Sequence, residues 1–245
     1  HYIVTKGKSL LIRASSLAIL LPIGYAIYLC NSRGGYLALI AAVSAFFVLR
    51  SRNKIRDMTL AAVVGIILFT VGPSRLSMLS AKEASAYNRI DAWYHGIEML
   101  KGNPLFGGGM GMFTEDSSLT AHNSFVLAFA ELGLIGAFFW VGMFYFCFKE
   151  LWRLNRGSVI PTEIGFLSSA VQASLIGFLT AAFFLSRTYN WVLYLLISSV
   201  TAFTEIGRKE LNLPSGGFNR EDFRNIIITE IVGVLSIYII LRAFL

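Results

Sequence analysis

Between Asn123 and Phe148 the chain runs for 26 residues with a single charged side chain, Glu131. A helix needs about 20 apolar residues to cross a bilayer, so this stretch is long enough to do so. It is too long and too evenly apolar to alternate as a barrel strand does. Six further apolar runs accompany it, at about 14–30, 36–49, 58–71, 164–184, 191–203 and 226–241. Only 14% of the residues are charged and 56% are hydrophobic, with a mean hydropathy of +0.65. Soluble domains carry about 25% charged residues. The expectation is an all-α, polytopic transmembrane helical bundle of about seven spans, forming one membrane domain over residues 1–245.

A net charge of +7 would point to nucleic acid only if it gathered on one soluble face. The basic residues sit mostly in short loops instead, where they set orientation. With the N-terminus cytoplasmic, fourteen of the 21 Lys and Arg residues fall inside and seven outside. That assignment makes the polar stretch 72–121 external. It also puts Arg33, Arg89, His122 and Arg187 on one face of the membrane. The expected partners are membrane lipids and no nucleic acid. Cys30 and Cys147 fall at opposite ends of their spans, which suggests neither a disulfide nor a metal site. The chain opens on His1 without a signal-peptide pattern, as expected of a fragment or a processed protein. Residues 205–225 read as a cytoplasmic connector.

The external stretch has helical signals of its own. Asn88 suits an N-cap, with Asp91 three residues on to complete a capping box. Ile90, Trp93, Ile97 and Leu100 recur at helical spacing. Lys101 suits a last turn, Gly102 a C′ position, and Pro104 prevents continuation. The spacing predicts a helix over about 89–101, on the membrane surface or packed on the spans. Five glycines fall in the segment that follows, Gly102-Asn103-Pro104-Leu105-Phe106-Gly107-Gly108-Gly109-Met110-Gly111. They permit a tightly turned backbone. The segment is neither a P-loop nor a dinucleotide fingerprint, because the Gly-Lys-Ser/Thr ending and the preceding strand are absent.

Six side chains could carry chemistry. His122 stands at the mouth of the 123–148 run. Such a histidine can simply bond water or a backbone carbonyl, but ionisable groups at membranes tend to be functional. With an ordinary pKa of about 6.5, its neutral imidazole can act as a general base. Asn123 beside it could orient a substrate or the imidazole. Arg33 lies in the turn Asn31-Ser32-Arg33-Gly34-Gly35 between two spans. Buried in hydrocarbon it would cost at least about 2.5–3.5 kcal/mol. It either snorkels to headgroups or clamps an anion bidentately. Arg89 opens the expected loop helix, where an anionic ligand would relieve its repulsion from the macrodipole; plain solvation is the simpler reading. Arg187 and Tyr189 in the next external turn are weaker candidates of the same kind. Glu131, about half a turn out of phase with His122, is expected to make a buried polar contact with a neighbouring helix. Gly133 and Gly136 read as close helix-packing positions. No Asp-x-Asp, His-Glu-x-x-His or Gly-x-Ser-x-Gly occurs, which disfavours metal and serine-nucleophile chemistry.

These residues match a known pattern. His122-Asn123, nine residues, then Gly133-x-x-Gly136 resembles the signature of the O-antigen ligases and their relatives, the O-antigen polymerases and protein O-oligosaccharyltransferases. Ser32-Arg33-Gly34 resembles a turn of that family. Asn88-Arg89-Ile90-x-x-Trp93, followed by Asn103-Pro104-Leu105-Phe106-Gly107-x-Gly109-x-Gly111-x-Phe113, resembles its periplasmic loop. The resemblance covers about residues 14–148. It implies a multi-pass enzyme of the bacterial inner membrane with its active site facing the periplasm. The implied donor is a glycan on undecaprenyl pyrophosphate, and the acceptor is a glycan, a lipid A core or a protein. Transfer would be inverting, with no metal and no cofactor. His122 would be the catalytic histidine, and Arg33 and Arg89 would hold the pyrophosphate. Beside these, Asn123, Ser32, Arg187 and Tyr189 are expected from their positions to bind the substrate. Family members carry more spans than this chain, so it corresponds to their C-terminal part.

Two other classes compete with that reading. A transporter or flippase of lipid-linked glycans could line its path with the same arginines. Such folds show inverted repeats and sites at mid-membrane, whereas no repeat is visible here and the candidates share one face. A non-catalytic membrane subunit is the third possibility.

Overall fold

The computed structural model describes residues 10–30, 32–51, 53–71, 79–117, 120–155, 162–214 and 216–244. The described residues form nine helices: α1 (Leu10–Leu29), α2 (Arg33–Arg50), α3 (Lys54–Val71), α4 (Leu79–Gly102), α5 (Met112–Ser117), α6 (Ser124–Asn155), α7 (Thr162–Phe184), α8 (Trp191–Glu210) and α9 (Arg220–Phe244). Each of the seven apolar runs is helical. Among the described residues, three helices are long and apolar enough to cross a membrane: Ser124–Asn155, Glu163–Phe184 and Arg220–Ala243. Ala18–Ile27 and Gly34–Arg50 are shorter apolar helices.

The loop helix is longer than its capping signals suggest. α4 begins at Leu79, nine residues before Asn88, so Asn88 is interior and caps nothing. The preceding Ser80-Ala81-Lys82-Glu83-Ala84 segment carries four good helix formers, which let the helix grow past a weak internal start signal.

The chain divides into two compact units. The first holds α1–α3 and most of α7. Here α2 packs against α3, and α7 lies on α2 through small residues. A Cβ on Gly177 would meet the Ala42 Cβ at 2.8 Å, the close approach that glycine permits between membrane helices. Phe46 stacks edge-on against Phe166 at 5.3 Å, and the Arg50 guanidinium sits 5.2 Å over the Phe166 ring. Ser32 caps α2, its hydroxyl accepting from the Gly35 N–H at 3.2 Å.

The second unit holds α4, α5, α8, α9 and nearly all of α6, and it is built around a break. At Gly133 the backbone of α6 leaves the helical region, with φ 62° and ψ −172°. Phe125 and Trp140 are fifteen residues apart, which in a straight helix is about 22 Å. Their ring centroids are 5.4 Å apart. The helix therefore folds back on itself as an acute V, with arms 124–132 and 134–155. The apolar run 123–148, which reads as one span, is a short arm and a long one. Only the long arm, about 33 Å at 1.5 Å per residue, has the length of a bilayer crossing.

Both arms pack on α9. Phe129 of the short arm lies against Gly233, and Gly142 of the long arm against Ile226. Near the far end of the long arm, Lys149 Nζ lies 2.6 Å from both Asp222 oxygens. Tyr145 donates to the same carboxylate at 2.9 Å. α4 covers the short arm, with Ala92, Ile97 and Leu100 in one core with Val126, Ala130 and Phe113. Gly96 allows this approach, since a Cβ there would strike the Val126 side chain at 2.5 Å.

Candidate active site

His122 sits at the head of the short arm in a left-handed conformation, φ 48°. Non-glycine residues rarely adopt it, although histidine does so more often than most. Such strain persists only where the surroundings impose it, and here both neighbours are held. The carbonyl of Ala121, 1% exposed, accepts from the Trp93 indole N–H at 3.0 Å. Asn123 is fully buried and caps the short arm, its Oδ1 accepting from the N–H groups of Phe125 (2.8 Å) and Val126 (3.2 Å). With Ala121 and Asn123 turned inward, the imidazole of His122 is left exposed.

Its electrostatics follow from two neighbours. Partial burial, and then the positive charge of Arg89, hold the His122 pKa below its ordinary value. Both disfavour the imidazolium, so the ring is neutral at a lower pH than a free histidine would be. Arg89 stands one turn before Trp93 on α4, a spacing that puts both on one helix face. The indole bond to Ala121 thus sets Arg89 beside His122.

The turn between α7 and α8 is tied to the same point. Ser124 donates from its hydroxyl to the Leu185 carbonyl at 2.6 Å and accepts from the Arg187 N–H at 2.7 Å. Thr188 Oγ1 donates to the Ser124 carbonyl at 2.9 Å, and the Trp140 indole donates to the Thr188 carbonyl at 3.3 Å. Arg187 is anchored by its backbone two residues from His122, while its side chain is exposed. Tyr189 turns inward. Burial, and next the neighbouring Glu131 carboxylate, push its pKa up. Its hydroxyl and Glu131 Oε2 are both buried without a hydrogen-bond partner at bonding geometry.

Glu131 binds a loop. Its Oε1 accepts from the N–H groups of Gly111 (2.9 Å) and Phe113 (3.2 Å). The expectation of a contact with a neighbouring helix is thereby corrected in part: the partners are backbone groups of the glycine segment and of α5. The loop also repairs the broken helix. Gly108 and Gly109 donate to the carbonyls of Ala130 (2.9 Å) and Glu131 (3.0 Å). Leu134 and Ile135 donate to the carbonyls of Pro104 (2.9 Å) and Leu105 (3.1 Å). The groups freed by the break thus find partners. Gly107, Gly109 and Gly111 all have positive φ, the tight turning that the glycine content predicts. Gly107 and Gly133 touch backbone to backbone, so neither has room for a side chain. Gly133 is therefore a break in the helix and not a helix-packing position.

The unit thus brings together His122, Arg89, Asn123, Arg187 and Tyr189. It gives Asn123 a capping role through Oδ1, while its Nδ2 is buried and unpartnered. Ser32 and Arg33 belong to the first unit, which stands described by itself. Ser32 caps a helix there. Arg33 is the first residue of α2, and its side chain lies outside the described residues.

A family model described as O-antigen ligase matches residues 17–141, just over half of the chain. The chain belongs to the O-antigen ligase family. The matched region runs from α1 through Ser32-Arg33-Gly34, α4 and the glycine loop to His122 and both arms at the break. No curated protein and no solved structure matches the chain. Membership in the O-antigen ligase family makes this an integral membrane protein associated with ligase- and polymerase-type glycosyltransferase activity. The residues that pure spacing missed as site builders are Trp93, Ser124 and Glu131. Glu131 had a visible signal, a carboxylate alone in an apolar run two residues before a glycine.

Proposed function

We propose that this O-antigen ligase relative transfers a glycan from undecaprenyl pyrophosphate to an acceptor hydroxyl at the periplasmic face of the bacterial inner membrane. The observation that carries the proposal is His122: exposed, held in a left-handed conformation by buried neighbours, and kept neutral by its surroundings and Arg89. A neutral imidazole accepts the proton of the acceptor hydroxyl while that oxygen attacks the anomeric carbon. The bond from that carbon to the pyrophosphate oxygen breaks, and undecaprenyl pyrophosphate leaves with the electron pair. A single displacement inverts the anomeric centre.

Charge growing on the leaving group is met by fixed cations, the kind of effect that is usually largest in catalysis. Arg89 stands beside the base for that role, and Arg33 is proposed to join it. Guanidinium groups suit it because they bind phosphate oxygens in pairs and never deprotonate. No metal is needed in this scheme. Arg187 and Tyr189, on the turn fixed to Ser124, are proposed to line the substrate.

The test is transfer from a lipid-pyrophosphate glycan donor by the purified protein, wild type against His122→Ala, with membrane insertion of both verified. Loss of transfer with insertion intact is expected. Normal transfer by His122→Ala overturns the proposal. Analysis of the product distinguishes a lipid A core acceptor from a growing polymer or a protein hydroxyl.

A further inference from the structure

The second unit holds a polar cavity apart from His122. Its volume is about 320 Å³, and it is lined by His95, Glu98 and Met99 of α4, Asn103 and Gly108 of the glycine loop, and Asp116 of α5. That is the small end of the range for ligand pockets, about 300–1,000 Å³. Packing fixes its walls. The Asn103 N–H donates to the Met99 carbonyl at 3.1 Å. A Cβ on Gly108 would meet the Met99 methyl group at 2.5 Å, so glycine lets the loop close on α4. The His95 ring stands edge-on to Phe113, 5.5 Å between centroids, and the Phe113 N–H is held by Glu131.

The lining selects a class of ligand. Two carboxylates, one of them shared with Lys101 at 2.7 Å, repel phosphates and acidic sugars. Among the described residues no group of three or more His, Cys, Asp or Glu side chains could hold a metal ion. Carboxylates accept from hydroxyl groups in charge-assisted bonds, and the Asn103 amide both donates and accepts. His95 Nε2 is buried without a hydrogen-bond partner, a group whose burial costs free energy until it is paired. Met99 and Gly108 add an apolar side. Dense hydroxyls around a C–H face are the chemistry of a neutral sugar.

The cavity and His122 lie along one helix. The Trp93 bond to Ala121 puts the Arg89 end of α4 beside His122. The bond from Leu134 to Pro104 puts the other end beside the break. From Arg89 to Glu98 is nine residues, about 14 Å along the axis, the reach of a few linked sugars. The long arm leaves the break, passes Phe125 at Trp140 and continues to Lys149. The cavity therefore lies on the side of His122 away from Lys149. With the orientation set by the loop charges, that is the outward side, the direction in which a glycan leads away from its membrane-borne end.

We propose that this cavity is a sugar-binding subsite, which holds one neutral residue of the glycan a few sugars from the bond being made. The proposal rests on the transfer reading and extends it. Hydroxyls of the bound sugar donate to Glu98 and Asp116, and Asn103 bonds a neighbouring hydroxyl. Donor glycan and acceptor glycan share this chemistry. The Glu131 clamp, by holding Phe113 and the glycine loop, keeps the subsite in fixed register with the short arm that carries His122.

The test compares wild type, Asp116→Ala and Glu115→Ala, the last an exposed carboxylate outside the cavity. Melting in detergent verifies that each is folded. Transfer is measured with the lipid-pyrophosphate glycan of the source cells, whole or trimmed to its first sugar, and with the acceptor whole or trimmed in the same way. Asp116→Ala is expected to raise KM for the whole glycan about tenfold, the loss of one hydrogen bond to a charged group. Glu115→Ala is expected to match the wild type. Trimming the glycan that fills the cavity closes the gap between wild type and Asp116→Ala, which tells donor from acceptor. Binding is read apart from transfer by photo-crosslinking, with benzoylphenylalanine in place of Asn103 in a His122→Ala background. A cross-link to the whole glycan, competed by free glycan, is expected. Transfer without that cross-link, or Asp116→Ala matching Glu115→Ala on whole glycans, overturns the subsite. A cross-link with no transfer by the wild type overturns the transfer reading and leaves the sugar site standing.

Discussion

Gly133→Ala tests the break at its narrowest point. The φ of 62° with ψ of −172° lies in a region that is essentially restricted to glycine and costs other residues about 1–3 kcal/mol. A Cβ would also stand 2.6 Å from the Leu105 carbonyl carbon and oxygen. That neighbour is backbone and has no rotamer in which to retreat. If the loop is expelled, the four backbone hydrogen bonds that join it to Ala130, Glu131, Leu134 and Ile135 are lost. At about 0.5–1.5 kcal/mol each they add about 2–6 kcal/mol. The combined loss, about 3–9 kcal/mol, is a large share of a typical domain's stability of about 5–15 kcal/mol. Thermal unfolding in detergent should show Gly133→Ala melting several degrees lower, and limited trypsin digestion should cut faster after Lys101. Gly102→Ala is the control, because a Cβ there meets nothing within 4 Å. If the two variants melt alike and digest alike, the close approach of loop and break is wrong.

Two further outcomes are expected. Neutral His122 is the active form, so transfer should fall as pH drops through its pKa, with a midpoint below the ordinary value of about 6.5. Arg89→Gln removes one cause of the depression and should move that acid limb to higher pH; an unmoved limb would separate Arg89 from the imidazole. For the V itself, cysteines at Phe125 and Trp140 in the Cys30→Ser/Cys147→Ala background should be joined by a short bifunctional reagent within one chain. A continuous helix, with these positions about 22 Å apart, would leave them unlinked.

The all-helical class, the seven helical runs and the apolar face of α4 are legible in the sequence because periodicity and length alone dictate them. Ile90, Trp93, Ile97 and Leu100 face the core as their spacing requires. His122 and Arg89 could be singled out because charges are scarce in this chain. The fold-back at Gly133 was not legible. A glycine inside an apolar run usually marks close packing of helices, and only the partner loop, over twenty residues earlier, decides otherwise. The same holds for Asn88, whose capping residues compete with helix formers upstream of it. Ser124 and Trp93 are invisible for a similar reason: their partners lie 61 and 28 residues away.

Glu131 joins these parts, and its role can be separated from acid–base chemistry. Through Oε1 it holds Gly111 and Phe113, and it acts on Tyr189 closely enough to raise that pKa. One carboxylate therefore ties the short arm to the glycine loop and stands near the turn that carries Arg187. Glu131→Ala leaves two N–H groups without their acceptor. Hydrogen bonds to a charged group contribute about 1.5–3 kcal/mol each, so a loss of about 3–6 kcal/mol is expected. Glu131→Gln keeps an oxygen for the two N–H groups, and its amide can donate to the Tyr189 hydroxyl. A positioning residue then predicts that Gln restores most of the thermal stability and of the transfer rate, with the acid limb of the pH profile unchanged. If Gln is as inactive as Ala while melting like the wild type, the carboxylate takes part in proton transfer, and His122 is not the sole base of the site.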